Sequence, residues 1–172
     1  MLRILMIAAA ALSLGACHPK PAATPGAQAQ GPSETPEARA FLAKNAKQPG
    51  VVVLPDGLQY KILHSGPATG NKPHLNDEVK INYEGRLIDG KVFDSSYERG
   101  QPAAMPLNRL IKAWQEALPM MRPGDVWMLY VPPELGYGAE GAGDGQIPGG
   151  AALIFKIELI DFLPGPGSVE QG

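Results

Sequence analysis

The stretch VKINYEGRLIDGKVFDSSYERG, residues 79–100, decides the fold. Its first part alternates the apolar side chains of Val79, Ile81 and Tyr83 with polar neighbours, which is the pattern of a half-buried strand. The dipeptide Asp89-Gly90 then separates two apolar runs, and this arrangement is typical of a tight β-hairpin. The stretch therefore predicts two neighbouring antiparallel strands that share one buried face.

Further segments on both sides of this hairpin also predict strands. They are Val51–Leu54, Leu58–Leu63, Trp127–Val131 and Ala151–Phe162. Asn108–Leu118 is the helical candidate of the central region, because its large apolar residues fall on one face: Leu110, Ile111, Trp114 and Leu118. A sheet with one apolar face must be covered, and this helix can cover it. We therefore predict an α+β fold, in which a twisted antiparallel sheet of five to six strands wraps around one short α-helix.

Residues 1–17 have the layout of a secretory signal, with one early cation, an apolar run too short to span a bilayer, and small residues. Their last four residues, LGAC, resemble the bacterial lipobox, in which the cysteine receives lipid. Cys17 is the single cysteine of the chain, which excludes an internal disulfide and favours lipidation at this position. The alternative is an ordinary secretory signal with a cysteine near its cleavage site. Because His18 follows rather than Asp, the resemblance to Gram-negative sorting signals implies the bacterial cell envelope, with an outer-membrane anchor facing the periplasm.

Four further regions follow this signal. Residues 18–34 are rich in Pro, Ala and Gln without apolar periodicity, and we expect a disordered linker. Residues 35–50 predict a short N-terminal helix that starts at the hydroxyl cap Thr35. Its only large apolar residues are Phe41 and Leu42, so we expect it to dock weakly. Residues 51–163 form the main domain, and residues 164–172 are expected to be a flexible tail.

Composition and motifs exclude several classes of function. A net charge of −2 gives no basic surface for nucleic acid. His18, His64 and His74 lack the spacing of metal ligands, so we expect no metal site. The glycine-rich stretch at 136–150 precedes a strand rather than a helix, which argues against a nucleotide site. No serine stands on a nucleophile elbow. We therefore expect no cofactor and no covalent catalysis.

The aromatic residues predict an apolar pocket with one polar group at its edge. Phe93, which favours burial, stands next to Asp94, which favours water. If the helix lies in a concave sheet, aromatic residues from separate elements converge at one end: Tyr83, Phe93, Trp114, Tyr137 and Phe155. For each residue alone, the alternative is an ordinary place in the core.

At this point the sequence resembles the FKBP-type peptidyl-prolyl isomerases, and most of all their bacterial macrophage-infectivity-potentiator branch. The segments that carry the resemblance are GLQYKIL (57–63), INYEGRLIDGKVFDSSYERGQP (81–102), PLNRLIKAWQEALPMMRPGDVW (106–127), LGYG (135–138) and IPGGAALIFKIELIDF (147–162). The resemblance implies rotation of X-Pro bonds in envelope proteins. It implies proline-containing polypeptides as partners and macrolides such as rapamycin as inhibitors.

The resemblance also implies which residues form the site. Those expected to act in catalysis are Tyr83, Phe93, Asp94, Trp114 and Tyr137. Those expected to bind substrate are Arg99, Leu110, Ile111, Ile147 and Phe155. Trp114 would lie under the prolyl ring, the Tyr137 hydroxyl and the Ile111 N–H would hold substrate carbonyls, and Asp94 would be oriented by Tyr83 or Arg99.

Four positions depart from the family pattern. The family usually has an aromatic residue at Ala103 or Met105, Gly or Pro at Ala113, and a second Pro at Gly149. We expect these changes to reduce the pocket rim, which keeps two alternatives open: a non-catalytic FKBP-like binding module or holdase chaperone, and an adhesion or scaffold lipoprotein. Because the N-terminal helical segment is shorter than the one through which relatives often dimerise, we expect a monomer.

Overall fold

The computed structural model describes residues 33–165. The predicted signal with Cys17, most of the predicted linker and most of the predicted tail lie outside the described residues. Within residues 33–165, no helix combines the length and the hydropathy that a membrane span requires.

Seven strands and two α-helices make up the described chain, with three short 3-10 turns between them. In chain order they are α1 (Pro36–Asn45), β1 (Val52–Val53), β2 (Gln59–His64), β3 (Glu78–Leu87), β4 (Val92–Ser95), β5 (Ala103–Pro106), a 3-10 turn (Leu107–Arg109), α2 (Lys112–Ala117), a 3-10 turn (Leu118–Met120), β6 (Val126–Val131), a 3-10 turn (Pro133–Leu135) and β7 (Leu153–Leu163).

All seven strands join one antiparallel sheet in the order β1-β2-β6-β7-β3, and β4 and β5 both pair with the free edge of β3. This confirms the predicted α+β class, with one strand more than the five to six expected. The missed strand is β5, whose Ala-Ala-Met-Pro sequence lacks β-branched and aromatic residues. It becomes a strand by pairing with Glu78–Ile81 of β3, and Pro106 is tolerated because it ends an edge strand.

The inner face of the sheet and α2 form the main hydrophobic core. Along β3, Val79, Ile81 and Tyr83 are buried while their polar neighbours are more exposed. Trp114 of α2 packs on this face together with residues from β6 and β7, including Leu129, Phe155 and Ile157. The alternation of the strands therefore positions one helix over one side of the sheet, as predicted.

The helix itself is shorter than the predicted Asn108–Leu118. Leu110 and Ile111 have extended backbones, with ψ of 173° and 153°, and α2 starts only at Lys112. The Gln115 side-chain amide donates to the Leu110 carbonyl (2.7 Å) and to the Asn108 carbonyl (3.4 Å), so it satisfies acceptors that a continuous helix would have paired. The prediction was wrong for this first part of the helix.

α1 packs on the opposite, outer face of the sheet. It starts after the predicted cap Thr35, whose Oγ1 accepts a hydrogen bond from the Ala38 N–H. Ala38 and Leu42 are buried and form a small second core with Ala152. The ring of Phe41 lies against Tyr130 of β6, with centroids 6.1 Å apart.

Two buried amides join α1 to β2 in addition to its thin apolar face. Asn45 donates to Gln59 Oε1 (2.8 Å), and Gln59 Nε2 donates to the Leu42 carbonyl (3.0 Å). Both side chains are buried. Buried amides that satisfy each other fix orientation as well as adding stability. The weak docking expected for α1 stays a prediction, and these hydrogen bonds add to its few apolar contacts.

Gly85 lies where β3 passes directly beneath two aromatic rings. A Cβ atom at this position would stand 2.6 Å from Phe93 Cε2 and 2.7 Å from Phe155 Cε1. No side chain can occupy that space unless both rings move. The glycine is therefore required by close approach and not by its backbone torsion.

Gly85→Ala is expected to destabilise the fold by about 1–3 kcal/mol, the usual cost of overpacking a core. Denaturant unfolding monitored by tryptophan fluorescence would measure the loss. The double variant Gly85→Ala/Phe93→Leu should recover part of it, because the shorter side chain removes the nearest ring atoms. Equal stability of Gly85→Ala and the unaltered protein would show that the rings do not oppose the added methyl group.

Glu116 of α2 stands beside Asp56 in the turn between β1 and β2. A shared hydrogen bond with Asp56, partial burial and the negative charge of Asp56 raise the pKa of Glu116 to about 7. In the unfolded chain a glutamate titrates near about 4.3. A carboxyl group with a raised pKa stabilises the fold below its unfolded pKa, and this contribution is lost as the pH rises toward 7.

Glu116→Gln should therefore raise Tm above pH 7 and weaken the fall in Tm between about pH 4.5 and pH 7. Thermal unfolding at several pH values would measure both effects. Glu98→Gln, which removes one carboxylate from an exposed position, is the matched control and should leave the slope unchanged. An identical pH slope in Glu116→Gln and the unaltered protein would contradict the assignment.

Candidate functional site

A cavity of about 510 Å³ opens at one end of the concave inner face. We call it the Trp114 cavity. It is lined by Tyr83, Phe93, Asp94, Met105, Arg109, Leu110, Ile111, Trp114, Tyr137, Ala142, Gly143, Gln146, Ile147 and Phe155. Its lining thus comes from β3, β4, β5 and β7, from α2 and the segment that leads into it, and from the long β6–β7 connection.

Aromatic rings in edge-to-face contact form the base and sides of the cavity. The Trp114 indole is 4% exposed and meets Tyr83 at 5.0 Å and Phe155 at 5.1 Å between centroids, both nearly perpendicular. Phe93 meets Phe155 in the same way at 5.6 Å. Perpendicular contacts of this kind are the favoured geometry of aromatic pairs, so the rings hold one another in place.

Asp94 is the one carboxylate in the lining, and both of its oxygens are engaged. The Tyr83 hydroxyl donates to Oδ2 (2.5 Å), and Arg99 forms an ion pair with Oδ1. Arg99 also donates from Nη2 to the Tyr83 hydroxyl oxygen (2.9 Å), which closes a three-residue network. The sequence left open whether Tyr83 or Arg99 orients Asp94, and in the structure both contact it.

The two phenols of the cavity keep their protons at neutral pH. The pKa of Tyr83 is raised chiefly by burial and next by its hydrogen bond to Asp94. The pKa of Tyr137 is raised by burial and by the negative charge of Asp94. Since an unperturbed tyrosine already titrates near about 10, both hydroxyls are donors under physiological conditions.

A glycine-rich loop in the β6–β7 connection forms part of the cavity wall. Two hydrogen bonds between Ala142 and Ile147 close it (3.0 Å each). All three residues at its tip, 143–145, have positive φ. Glycine adopts this backbone state without steric cost, and Asp144 adopts it between two glycines. This tight closure places the Ile147 side chain in the cavity.

Nine of the ten residues predicted to act in catalysis or binding line the Trp114 cavity. The tenth, Arg99, stands behind Asp94 as its ion-pair partner. Five lining residues were not among the predicted site residues: Met105, which the sequence marked only as a departure from the family pattern, and Arg109, Ala142, Gly143 and Gln146. Of these, Gln146 donates to the Phe93 carbonyl (3.3 Å) and joins the loop to β4. Arg109 could have been predicted as a lining residue from its position directly before Leu110 and Ile111, which were predicted to bind substrate.

The four departures from the family pattern do not all lie at the rim. Met105 alone lines the cavity, while Ala103 packs against the core from β5. Ala113 is fully buried in the core. A Cβ atom at Gly149 would stand 2.0 Å from the Ala139 carbonyl oxygen, so local backbone packing requires glycine there. The expectation of a reduced rim was therefore wrong for Ala113 and Gly149.

The chemistry available in the cavity is binding and polarisation. Among residues 33–165, no three His, Cys, Asp or Glu side chains are grouped so that they could hold a metal ion. The lining offers aromatic surface, two tyrosine hydroxyls, one fixed carboxylate and one guanidinium. This set can enclose an apolar ring and hold the polar atoms on either side of it.

Comparisons with known proteins agree with this geometry. Residues 69–160 match the family model described as "FKBP-type peptidyl-prolyl cis-trans isomerase", and residues 18–62 match "Domain amino terminal to FKBP-type peptidyl-prolyl isomerase". The peptidyl-prolyl cis-trans isomerase Mip of Coxiella burnetii is 59% identical over 72% of this chain and 53% of its own length. The outer membrane protein MIP of Legionella longbeachae is 49% identical over 70% of this chain and 51% of its own length.

A solved structure of a related protein also resembles this chain. The peptidyl-prolyl cis-trans isomerase of Pseudomonas syringae pv. tomato is 42% identical, with a TM-score of 0.68, covering 74% of this chain and 92% of that one. The chain spans about half the length of the two curated relatives. The resemblance drawn from the sequence is confirmed: this chain belongs to the family of FKBP-type peptidyl-prolyl cis-trans isomerases.

Proposed function

We propose that this protein accelerates cis–trans rotation of X-Pro peptide bonds. The observation that carries the proposal is the Trp114 cavity, an aromatic site with one carboxylate held by two partners at its edge. Family membership supports the same activity.

The reaction requires no bond to be made or broken. The barrier to amide rotation is about 18–20 kcal/mol and arises from resonance, which places negative charge on the carbonyl oxygen. Water stabilises that planar, charge-separated form. The twisted transition state is less polar at oxygen, so a site that excludes water disfavours the planar substrate relative to the twisted one. Catalysis of this kind is differential binding.

The lining residues divide between two roles. The Trp114 indole supports the prolyl ring from below, and Phe93, Phe155 and Ile111 enclose it. Asp94 presents its carboxylate to the carbonyl carbon of the twisted amide, which becomes more electrophilic once nitrogen no longer donates to it. Tyr83 and Arg99 keep Asp94 in position, because they engage both of its oxygens.

Two donors hold the peptide on either side of the proline. The backbone N–H of Ile111 and the hydroxyl of Tyr137 make no hydrogen bond to any acceptor in residues 33–165. Both groups belong to residues that line the cavity, and Tyr137 is 38% exposed. They are therefore free to bind substrate carbonyls. Proline-containing polypeptides are the substrates we propose, and macrolides such as rapamycin are inhibitors that would fill the same space.

We further propose a lipid-anchored envelope protein. The lipobox-like end of residues 1–17 would place lipid on Cys17, and His18 favours the outer membrane. The relative from Legionella longbeachae is named an outer membrane protein, which supports this location. Residues 18–34 would act as a linker that presents a monomeric main domain, residues 51–163, to unfolded chains in the periplasm, with residues 164–172 as a flexible tail.

Tyr137→Phe should lower kcat/KM by about two- to ten-fold, because it removes one hydrogen bond to the substrate while leaving the ring in place. Trp114→Leu should lower it further, since the support under the prolyl ring is lost. A proline-limited peptide assay measures both, and a macrolide should inhibit the unaltered protein. Tyr130→Phe, which removes a hydroxyl on the outer face, is the matched control and should retain full activity.

The same assay separates catalysis from the alternatives. Suppressed aggregation of a client protein without acceleration of rotation would favour the binding module or holdase. No effect of Trp114→Leu in either assay would favour an adhesion or scaffold role. Either result would exclude the proposed isomerase activity.

Cys17→Ser should abolish the incorporation of labelled fatty acid and leave residues 1–17 attached, because the residue that receives lipid and marks the cleavage site is lost. Metabolic labelling, mass spectrometry and membrane fractionation measure these changes. His18→Asp in an otherwise unaltered chain should keep it membrane-bound but shift it to the inner membrane. Absence of labelled fatty acid from the unaltered protein would disprove the lipid anchor.

A further inference from the structure

We propose that Arg109 gives the Trp114 cavity a preference for peptides that carry an acidic side chain next to the proline. This inference rests on the proposed isomerase function and concerns its substrate class. Arg109 lines the cavity directly before Leu110 and Ile111, and it is exposed. A substrate whose prolyl ring lies on Trp114 would therefore bring its neighbouring side chains within reach of the guanidinium.

Arg109 is the one arginine of residues 33–165 without a protein partner. Arg39 and Arg86 pair with Glu34 and Glu84, and Arg99 pairs with Asp94. The remaining arginine, Arg122, donates to the Gly70 carbonyl. A guanidinium offers a rigid fork of donors that fits a carboxylate, so an unpaired one at the edge of a peptide-binding cavity is available for such a group.

The charge balance of the lining points in the same direction. Asp94 is the lining carboxylate, and Arg99 already neutralises it. The charge left over at the cavity wall is therefore the positive charge of Arg109. Glu140 and Asp144 belong to the facing loop region, but both are exposed and neither lines the cavity. An incoming carboxylate thus meets an uncompensated cation at the wall.

The backbone that carries Arg109 is held in place on both sides. Leu107 is fully buried, and its N–H donates to the Asp77 carbonyl (2.9 Å). Gln115 binds the carbonyls of Asn108 and Leu110. The substrate therefore has only the Arg109 side chain to order, which lowers the entropic cost of the contact.

The expected preference is modest because the pair would be partly exposed to solvent. Exposed ion pairs of this kind correspond to about a two- to five-fold change in affinity at moderate salt. The preference should shrink as salt rises toward about 1 M, where the screening length falls to about 3 Å.

The test uses two peptide series, one with Glu, Gln or Lys before proline and one with the same residues after it. For each peptide, kcat/KM is measured in the proline-limited assay, and Kd is measured by NMR titration of the Trp114 indole N–H. In at least one series the unaltered protein should favour Glu over Gln by about two- to five-fold and disfavour Lys. Ratios within each variant are compared, so that a general change in activity does not affect the result.

Arg109→Gln should bring the Glu/Gln ratio to about one, and Arg109→Glu should reverse it. Lys112→Gln is the matched control, because it removes the same charge from an exposed site that does not line the cavity, and its ratio should match that of the unaltered protein. A ratio near one in the unaltered protein, or the same ratio in Arg109→Gln, overturns the inference. Loss of catalysis with every peptide would sink the proposed isomerase function, while the Kd ratios would still decide the role of Arg109.

Discussion

The structure depends on a mismatch between one short helix and the long sheet face that it must cover. α2 has six residues and so spans about 9 Å, at about 1.5 Å per residue. β3 and β7 have ten and eleven residues, and each spans more than about 30 Å at about 3.3 Å per residue. A helix of this length cannot close both ends of the concave face. One end stays open, and the aromatic residues that would otherwise be core become the lining of the Trp114 cavity.

This open end explains how the fold accommodates a carboxylate among aromatic rings. An isolated charge beside apolar surface is costly unless it is paired and hydrogen-bonded. Asp94 satisfies that condition on both oxygens, and its side chain remains 43% exposed. The same arrangement buries the Tyr83 hydroxyl without leaving it unpaired. The network is therefore a requirement of folding at this edge as much as a feature of the site.

The elements that depend on local sequence pattern were predicted correctly. The predictions failed where a contact with a residue distant in the sequence determines the structure. Alternation along β3 and the Asp-Gly turn were sufficient for the central hairpin, and the resemblance supplied nine of the fourteen lining residues. β5 escaped prediction because only the edge of β3 makes it a strand. The contact between Asn45 of α1 and Gln59 of β2 also escaped prediction, because no local pattern reveals it. α2 was predicted to start too early, because the sequence did not show that the Gln115 side chain donates to the Leu110 carbonyl and stabilises an extended backbone there.

The residues of the cavity therefore fall into two groups with different freedom to change. Trp114 and Phe155 belong to the packed core as well as to the site, so a substitution there alters stability and chemistry together. Arg109 and Gln146 are exposed on connecting segments, and neither belongs to the hydrophobic core, so they can change with less effect on the rings. Under the proposed function, rotation of the amide depends on the first group together with Asp94, because it needs excluded water and one fixed carboxylate. The second group would meet the side chains that flank the proline, so a fold built in this way could retain the proposed reaction while its substrate preference changes.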